Sequence, residues 1–108
     1  MEYGMTFVFD MYDFERGEEM HLLVMPGDYR RMKKWAGENV ADGDENDVDL
    51  LHNYATAWFA LKRRGRLSEL GLPDELTIGA VESMMDRFSL FVNRMSDDLL
   101  PLKTERAM

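Results

Sequence analysis

Leu50–Gly65, LLHNYATAWFALKRRG, constrains the fold most: an apolar stripe at helical spacing ends in three consecutive cations and a glycine. Leu51, Tyr54, Ala55, Trp58 and Leu61 fall on one face of an α-helix, with Phe59 at its margin. Asp47 or Asp49 is placed to cap the start, where carboxylates meet the positive end of the helix dipole. Lys62, Arg63 and Arg64 complement the negative end, and Gly65 supplies a stop. A helix of this kind needs a surface on which to bury its stripe.

The segments on either side supply that surface. Thr6 to Phe14 alternates Phe7, Phe9 and Met11 against Val8, Asp10 and Tyr12, which predicts a strand, and Met20 to Met25 resumes as a second apolar run. Gly17 between them can take a positive φ, so residues 6–25 are expected to pair as a β-hairpin. Asp28 is read as the cap of a helix from Tyr29, with Tyr29, Met32 and Ala36 inward and Arg30, Arg31, Lys33 and Lys34 in water. Trp35 lies off that stripe, so it either meets a partner or folds back over the hairpin. Gly37 to Asp47 is acidic and rich in helix breakers, which predicts a solvated loop.

After Gly71, Leu72 and Pro73, Thr77 can cap a last helix in which Ile78, Val81, Met85, Phe88, Val92 and Met95 recur at alternating spacings of three and four. Met84 and Phe91 widen that stripe to a second flank, and a second copy of the chain is one surface able to cover it. Pro101 stops any helix, and residues 98–108 are expected to form a mobile tail. The expected architecture is a single α+β domain over residues 1–108, an N-terminal β-hairpin followed by about three α-helices, the helical part spanning 28–97.

Composition limits the chemistry. Thirteen Lys and Arg against 21 Asp and Glu give a formal net charge of −8, which repels phosphate backbones and argues against nucleic-acid binding. Without cysteine there is no disulfide framework, thiolate metal site or cysteine nucleophile. No apolar run reaches the roughly 18–20 residues of a membrane span, and the first residues lack the basic start and apolar stretch of a signal peptide. A cytoplasmic protein with no membrane association is expected. Ten methionines fit either a plastic core or an adaptable binding face.

Asp42, Asp44 and Asn46 occupy the first, third and fifth positions of an EF-hand loop, but the sixth, a glycine in such loops, is Asp47, and the twelfth, a bidentate Glu, is Asn53. A solvated acidic turn is expected instead of a calcium site. His21 and His52 have no partner at zinc-ligand spacing, no serine lies in a Gly-x-Ser-x-Gly elbow, and no phosphate loop or dinucleotide fingerprint occurs. The expectation is a non-catalytic protein with no metal and no cofactor. Lys62, Arg63, Arg64 and Arg66 form one dense cationic patch and Arg30 to Lys34 another; the two either complement a helix end and solvate an exposed face, or dock an acidic partner or the acidic loop of a second copy.

The order of features resembles the tail assembly chaperones of long-tailed bacteriophages and prophages. The resemblance rests on Tyr29-Arg30-Arg31-Met32-Lys33-Lys34-Trp35, an acidic gap, Ala57-Trp58-Phe59-Ala60-Leu61-Lys62-Arg63-Arg64-Gly65 and Leu76-Thr77-Ile78 before a closing helix. It covers Tyr29 to Val92, and the chain departs from the pattern in its aromatic-rich N-terminal hairpin. Such proteins hold the tape-measure protein soluble in the host bacterium and help recruit tube subunits, and many are also made as a longer frameshifted form. The resemblance implies a short form that catalyses nothing and binds a tape-measure or tube protein. By the same resemblance Trp58, Phe59, Met84 and Phe91 become groove residues, with Arg63 and Arg64 at the rim, core packing being the other role open to Trp58; Trp35 is the interface candidate that its off-stripe position gives. Two other readings remain: an acidic regulator or inhibitor that occupies a basic partner through Asp42 to Asp49, and a structural phage component such as a head–tail joining protein.

Overall fold

The computed structural model describes residues 7–40 and 45–94. Strands β1 (Phe7–Asp13) and β2 (Glu18–Val24) form the expected hairpin, with Met11 opposite Met20 and Phe9 opposite Leu22. Alternation sends Phe9, Met11, Met20, Leu22 and Val24 into the core while Tyr12 and His21 face out. At the turn Gly17 takes φ +67°, and its N–H donates to the Asp13 carbonyl at 2.7 Å. The buried Asp13 carboxylate accepts from the N–H groups of Glu15 (3.0 Å) and Arg16 (3.3 Å), so the strand end and the turn are fixed by one side chain.

Helix α1 (Pro26–Asn39) starts three residues before the expected Tyr29. Proline at the first helical position brings a suitable φ and forfeits only an N–H that has no helical partner there. Asp28 still caps, but from inside the first turn, accepting from the Met25 N–H at 2.9 Å. Met32 and Ala36 are buried and Arg30, Arg31, Lys33 and Lys34 exposed, as the stripe requires. Helix α2 (Glu45–Arg63) also begins early, so Asp47 and Asp49 sit within its first turns instead of capping it. It closes as the sequence predicts: Gly65 takes φ +71°, Arg66 N–H donates to the Leu61 carbonyl at 2.9 Å and Gly65 N–H to the Lys62 carbonyl at 3.0 Å.

The predicted stripe of α2 is inside, but so are Thr56, Ala57 and Ala60. Small side chains on the flanks let α1, the sheet and α3 approach this central helix from several sides. Trp58 donates its indole N–H to the Pro73 carbonyl (3.0 Å), and Trp35 donates to the Leu76 carbonyl (3.1 Å). The two tryptophans therefore pin the loop between α2 and α3. Trp35, off-stripe on the helical wheel of α1, is part of the core.

The last helix departs from expectation. Thr77 caps it, its hydroxyl accepting from the Ala80 N–H at 3.0 Å, but α3 (Ile78–Arg87) ends at Arg87, and Phe88–Arg94 is a third strand, β3, where the spacing predicted helix up to Met95. β3 pairs antiparallel with β1, making the sheet order β2-β1-β3 and interrupting the expected helical part at 28–97. Non-local interactions decide this. The free edge of β1 offers a full ladder to Phe-Ser-Leu-Phe-Val-Asn-Arg, whose aromatic and branched residues alternate as a strand as well as they recur on a helix. Arg87 is locked bidentately to Asp13 (3.0 and 2.8 Å), and Tyr54 donates its hydroxyl to the Phe88 carbonyl at 2.7 Å. Of the expected seam, Val81 and Phe88 are buried but Val92 is exposed, and Met84 fills the core beside Val81. The α+β class with an N-terminal hairpin and three helices holds, with a third strand added. Met95 and the expected tail at 98–108 lie outside the described residues.

Candidate partner-binding surface

The first turn of α1 meets the last turn of α2 through a buried carboxylate. Asp28, fully buried, accepts Arg63 Nε on both oxygens (3.0 and 3.1 Å) and Arg31 Nη1 at 3.3 Å, in addition to its capping bond. Arg63 Nη2 also donates to the Leu23 carbonyl at 3.0 Å, so one guanidinium ties α2 to α1 and to β2. A carboxylate stripped of water is stabilised only by such paired, hydrogen-bonded cations, which is why the two arginines converge here.

Above this junction lies an open groove of about 320 Å³ lined by Arg31, Phe59, Lys62 and Arg63. Phe59, Lys62 and Arg63 come from one face of α2 at positions i, i+3 and i+4, and Arg31 faces them from α1. The half-buried Phe59 ring packs edge-on against the buried Trp58, centroids 5.0 Å apart at 90°, and Lys62 Nζ stands 5.3 Å from the Trp58 ring centroid. Gly27 leaves room for Arg31 to lie back over the helix start, since a Cβ there would come 3.3 Å from Arg31 Nη1. With one carboxylate among three cations, the groove is locally positive on a chain of net charge −8.

The seven residues expected at a binding face separate into three places. Phe59 and Arg63 line the groove, and Arg64 is exposed in the turn just beyond α2. Trp35, Trp58 and Met84 are core residues instead, at 9%, 2% and 1% exposure, and present no surface to a partner. Phe91, 70% exposed, stands on the outer face of the sheet and is not part of the groove lining. Arg31 and Lys62 belong to the two basic patches of the sequence but not to the residues expected at the face; the contact that brings them together is the Asp28 carboxylate, which precedes the first basic run and meets Arg63 of the second only in the fold.

The outer sheet face carries Tyr12 and Phe14, whose rings meet edge-to-face at 5.0 Å, and a polar cluster across all three strands. Asp10 on β1 bonds His21 Nδ1 at 2.6 Å and accepts from Asn93 Nδ2 at 2.5 Å. The carboxylate beside His21 raises its pKa above the ordinary value, with Glu19 adding to the effect. Burial, helped by the charge of Lys33, lowers that of His52. Asp13 is held below the usual carboxylate range, first by its hydrogen bond with Arg87 and then by the backbone donors of the turn.

Among the described residues no group of three His, Cys, Asp or Glu is placed to hold a metal ion, and no helix is long and apolar enough to cross a membrane. Asp42 and Asp44 of the acidic turn lie outside the described residues. Set against known protein families, curated proteins and solved structures, the chain matches none of them.

Proposed function

We propose that this chain is a non-catalytic, cytoplasmic protein-binding domain that serves as a tail assembly chaperone of a bacteriophage or prophage, holding a tape-measure or tube protein during assembly. One observation supports the reading: two of the segments on which the resemblance rests, Tyr29 to Trp35 and Ala57 to Gly65, meet to build the groove of Arg31, Phe59, Lys62 and Arg63. A small acidic body keeps a chaperone soluble, and a groove with an aromatic floor and charged walls suits the exposed helix of a client.

The test is co-expression with the long coiled-coil protein encoded beside this one. The reading expects the two to co-purify and the soluble fraction of the coiled-coil protein to rise; if neither occurs, the assignment to tail assembly fails. A slippery run in the coding DNA ahead of the stop codon, with an overlapping frame, would add independent support.

A further inference from the structure

We propose that the groove takes an acidic amphipathic helix: carboxylates facing Arg31, Lys62 and Arg63, and an apolar side chain on Phe59. The inference deepens the protein-binding reading above and rests on it. The reasons are geometric and electrostatic. Arg63 is immobilised by Asp28 and the Leu23 carbonyl, so its free N–H groups are set in place before a ligand arrives, and little ordering entropy is lost on binding. Arg31 and Lys62 are exposed and complete a three-cation wall. Arginine suits a carboxylate because its planar fork can donate two parallel hydrogen bonds. Phe59, braced from behind by Trp58, gives the apolar contact that a purely ionic ligand would leave unused.

Polypeptide is favoured over nucleic acid by the contrast between the groove and the body. A polyphosphate carries charge along its whole length and would extend over a surface of net charge −8, whereas one face of a helix can confine its carboxylates to the groove. The same contrast makes the inference sharp. Bulk charge alone predicts that this chain prefers a basic peptide; the groove predicts the opposite.

The test uses the full chain and fluorescence anisotropy with two synthetic amphipathic helices of about four turns. Both carry one leucine stripe, flanked by Glu in one and by Lys in the other; a double-stranded DNA oligonucleotide is the third probe. The Glu-flanked peptide is expected to bind at least about tenfold more tightly than the Lys-flanked one, and to lose about tenfold when salt is raised from about 0.05 to about 0.5 M. Lys62→Glu should cost about tenfold or more and Phe59→Ser a similar factor, while Lys34→Glu, outside the groove, should leave binding within about twofold. Salt dependence of the unaltered chain keeps the test valid should a variant misfold.

Equal or tighter binding of the Lys-flanked peptide, tighter binding of DNA, or an equal loss in Lys34→Glu would overturn the proposal. So would a dimer in sedimentation that Lys62→Glu dissolves, because the groove would then be filled by a second copy of the chain. Should the Glu-flanked peptide bind as stated while the neighbouring coiled-coil protein fails to co-purify, the groove chemistry stands and the chaperone assignment falls. Co-purification without peptide binding gives the reverse.

Discussion

Replacing Asp13 by Asn removes one charge from a fully buried site and leaves its shape nearly intact. In the native protein the carboxylate accepts two hydrogen bonds from Arg87 (3.0 and 2.8 Å) and two from the backbone of the hairpin turn (3.0 and 3.3 Å). Asparagine keeps an oxygen for the turn but sets an amide N–H₂ against one Arg87 donor. Deleting one partner of a buried ion pair costs about 3–5 kcal/mol, because the surviving charge is left desolvated. Arg87 retains 15% side-chain exposure, and Glu15 Oε1 lies 3.4 Å from its Nε, so the low end applies, about 3 kcal/mol. For a domain with total stability of about 5–15 kcal/mol this is a large fraction.

Urea unfolding at about pH 7 reads the loss as a midpoint lowered by on the order of 1–3 M with the slope unchanged. The pH dependence provides a second check. The folded pKa of Asp13 lies below its ordinary value of 3.8, so its contribution is complete above that value and disappears as pH falls through the lower folded one. The gap between native protein and variant should therefore narrow in strong acid. A loss under about 1 kcal/mol at neutral pH, or a gap that persists undiminished to about pH 2, would refute the assignment of this pair as the lock between the hairpin and the α3–β3 junction.

Three further outcomes are expected. Tyr54→Phe removes the hydroxyl bonded to the Phe88 carbonyl at 2.7 Å and should cost about 1–2 kcal/mol, read as a drop of several degrees in the melting temperature; no change would mean that β3 does not depend on this tie. Gly65→Ala forces a Cβ into φ +71° and should destabilise by about 1–2 kcal/mol in urea, while an unchanged midpoint would contradict the left-handed helix stop. In an NMR titration His21 should protonate above 6.5 and His52 below it, with Asp10→Asn returning His21 toward 6.5. Because the His21 pKa is raised, its link to Asp10 stabilises fully below pH 6.5 and weakens as pH rises through the raised value; coincident midpoints for the two histidines would refute the cross-strand cluster.

Three local signals in the sequence are realised where they stand, while the starts of α1 and α2 fall earlier than their Asp caps indicate. The hairpin is marked by alternation and by Gly17, the stop of α2 by Gly65, and the start of α3 by Thr77, and each is found at its place. The misread segment is Phe88–Arg94, where apolar residues fit both a 3.6-residue and a two-residue period. Its state is set by partners distant in the chain, the β1 edge, Tyr54 and Asp13, and no local pattern encodes them. The sequence leaves Trp35 between a partner and the protein's own interior for a related reason: a helical wheel ignores the Leu76 carbonyl, 41 residues away, that satisfies its indole N–H in the core. The groove was half legible. Phe59 and Arg63 were recognisable on α2, but Arg31 joins them only because Asp28, legible as a helix cap, also serves as the anion on which both arginines close.

The most direct measurement is a chemical-shift map of the isotopically labelled chain titrated with a helical segment of its co-purifying client. The account predicts perturbations centred on Arg31, Phe59, Lys62 and Arg63, with the outer sheet face around Tyr12 and Phe91 unmoved. Shifts confined to that sheet face, or no shift at all at saturating client, would contradict it.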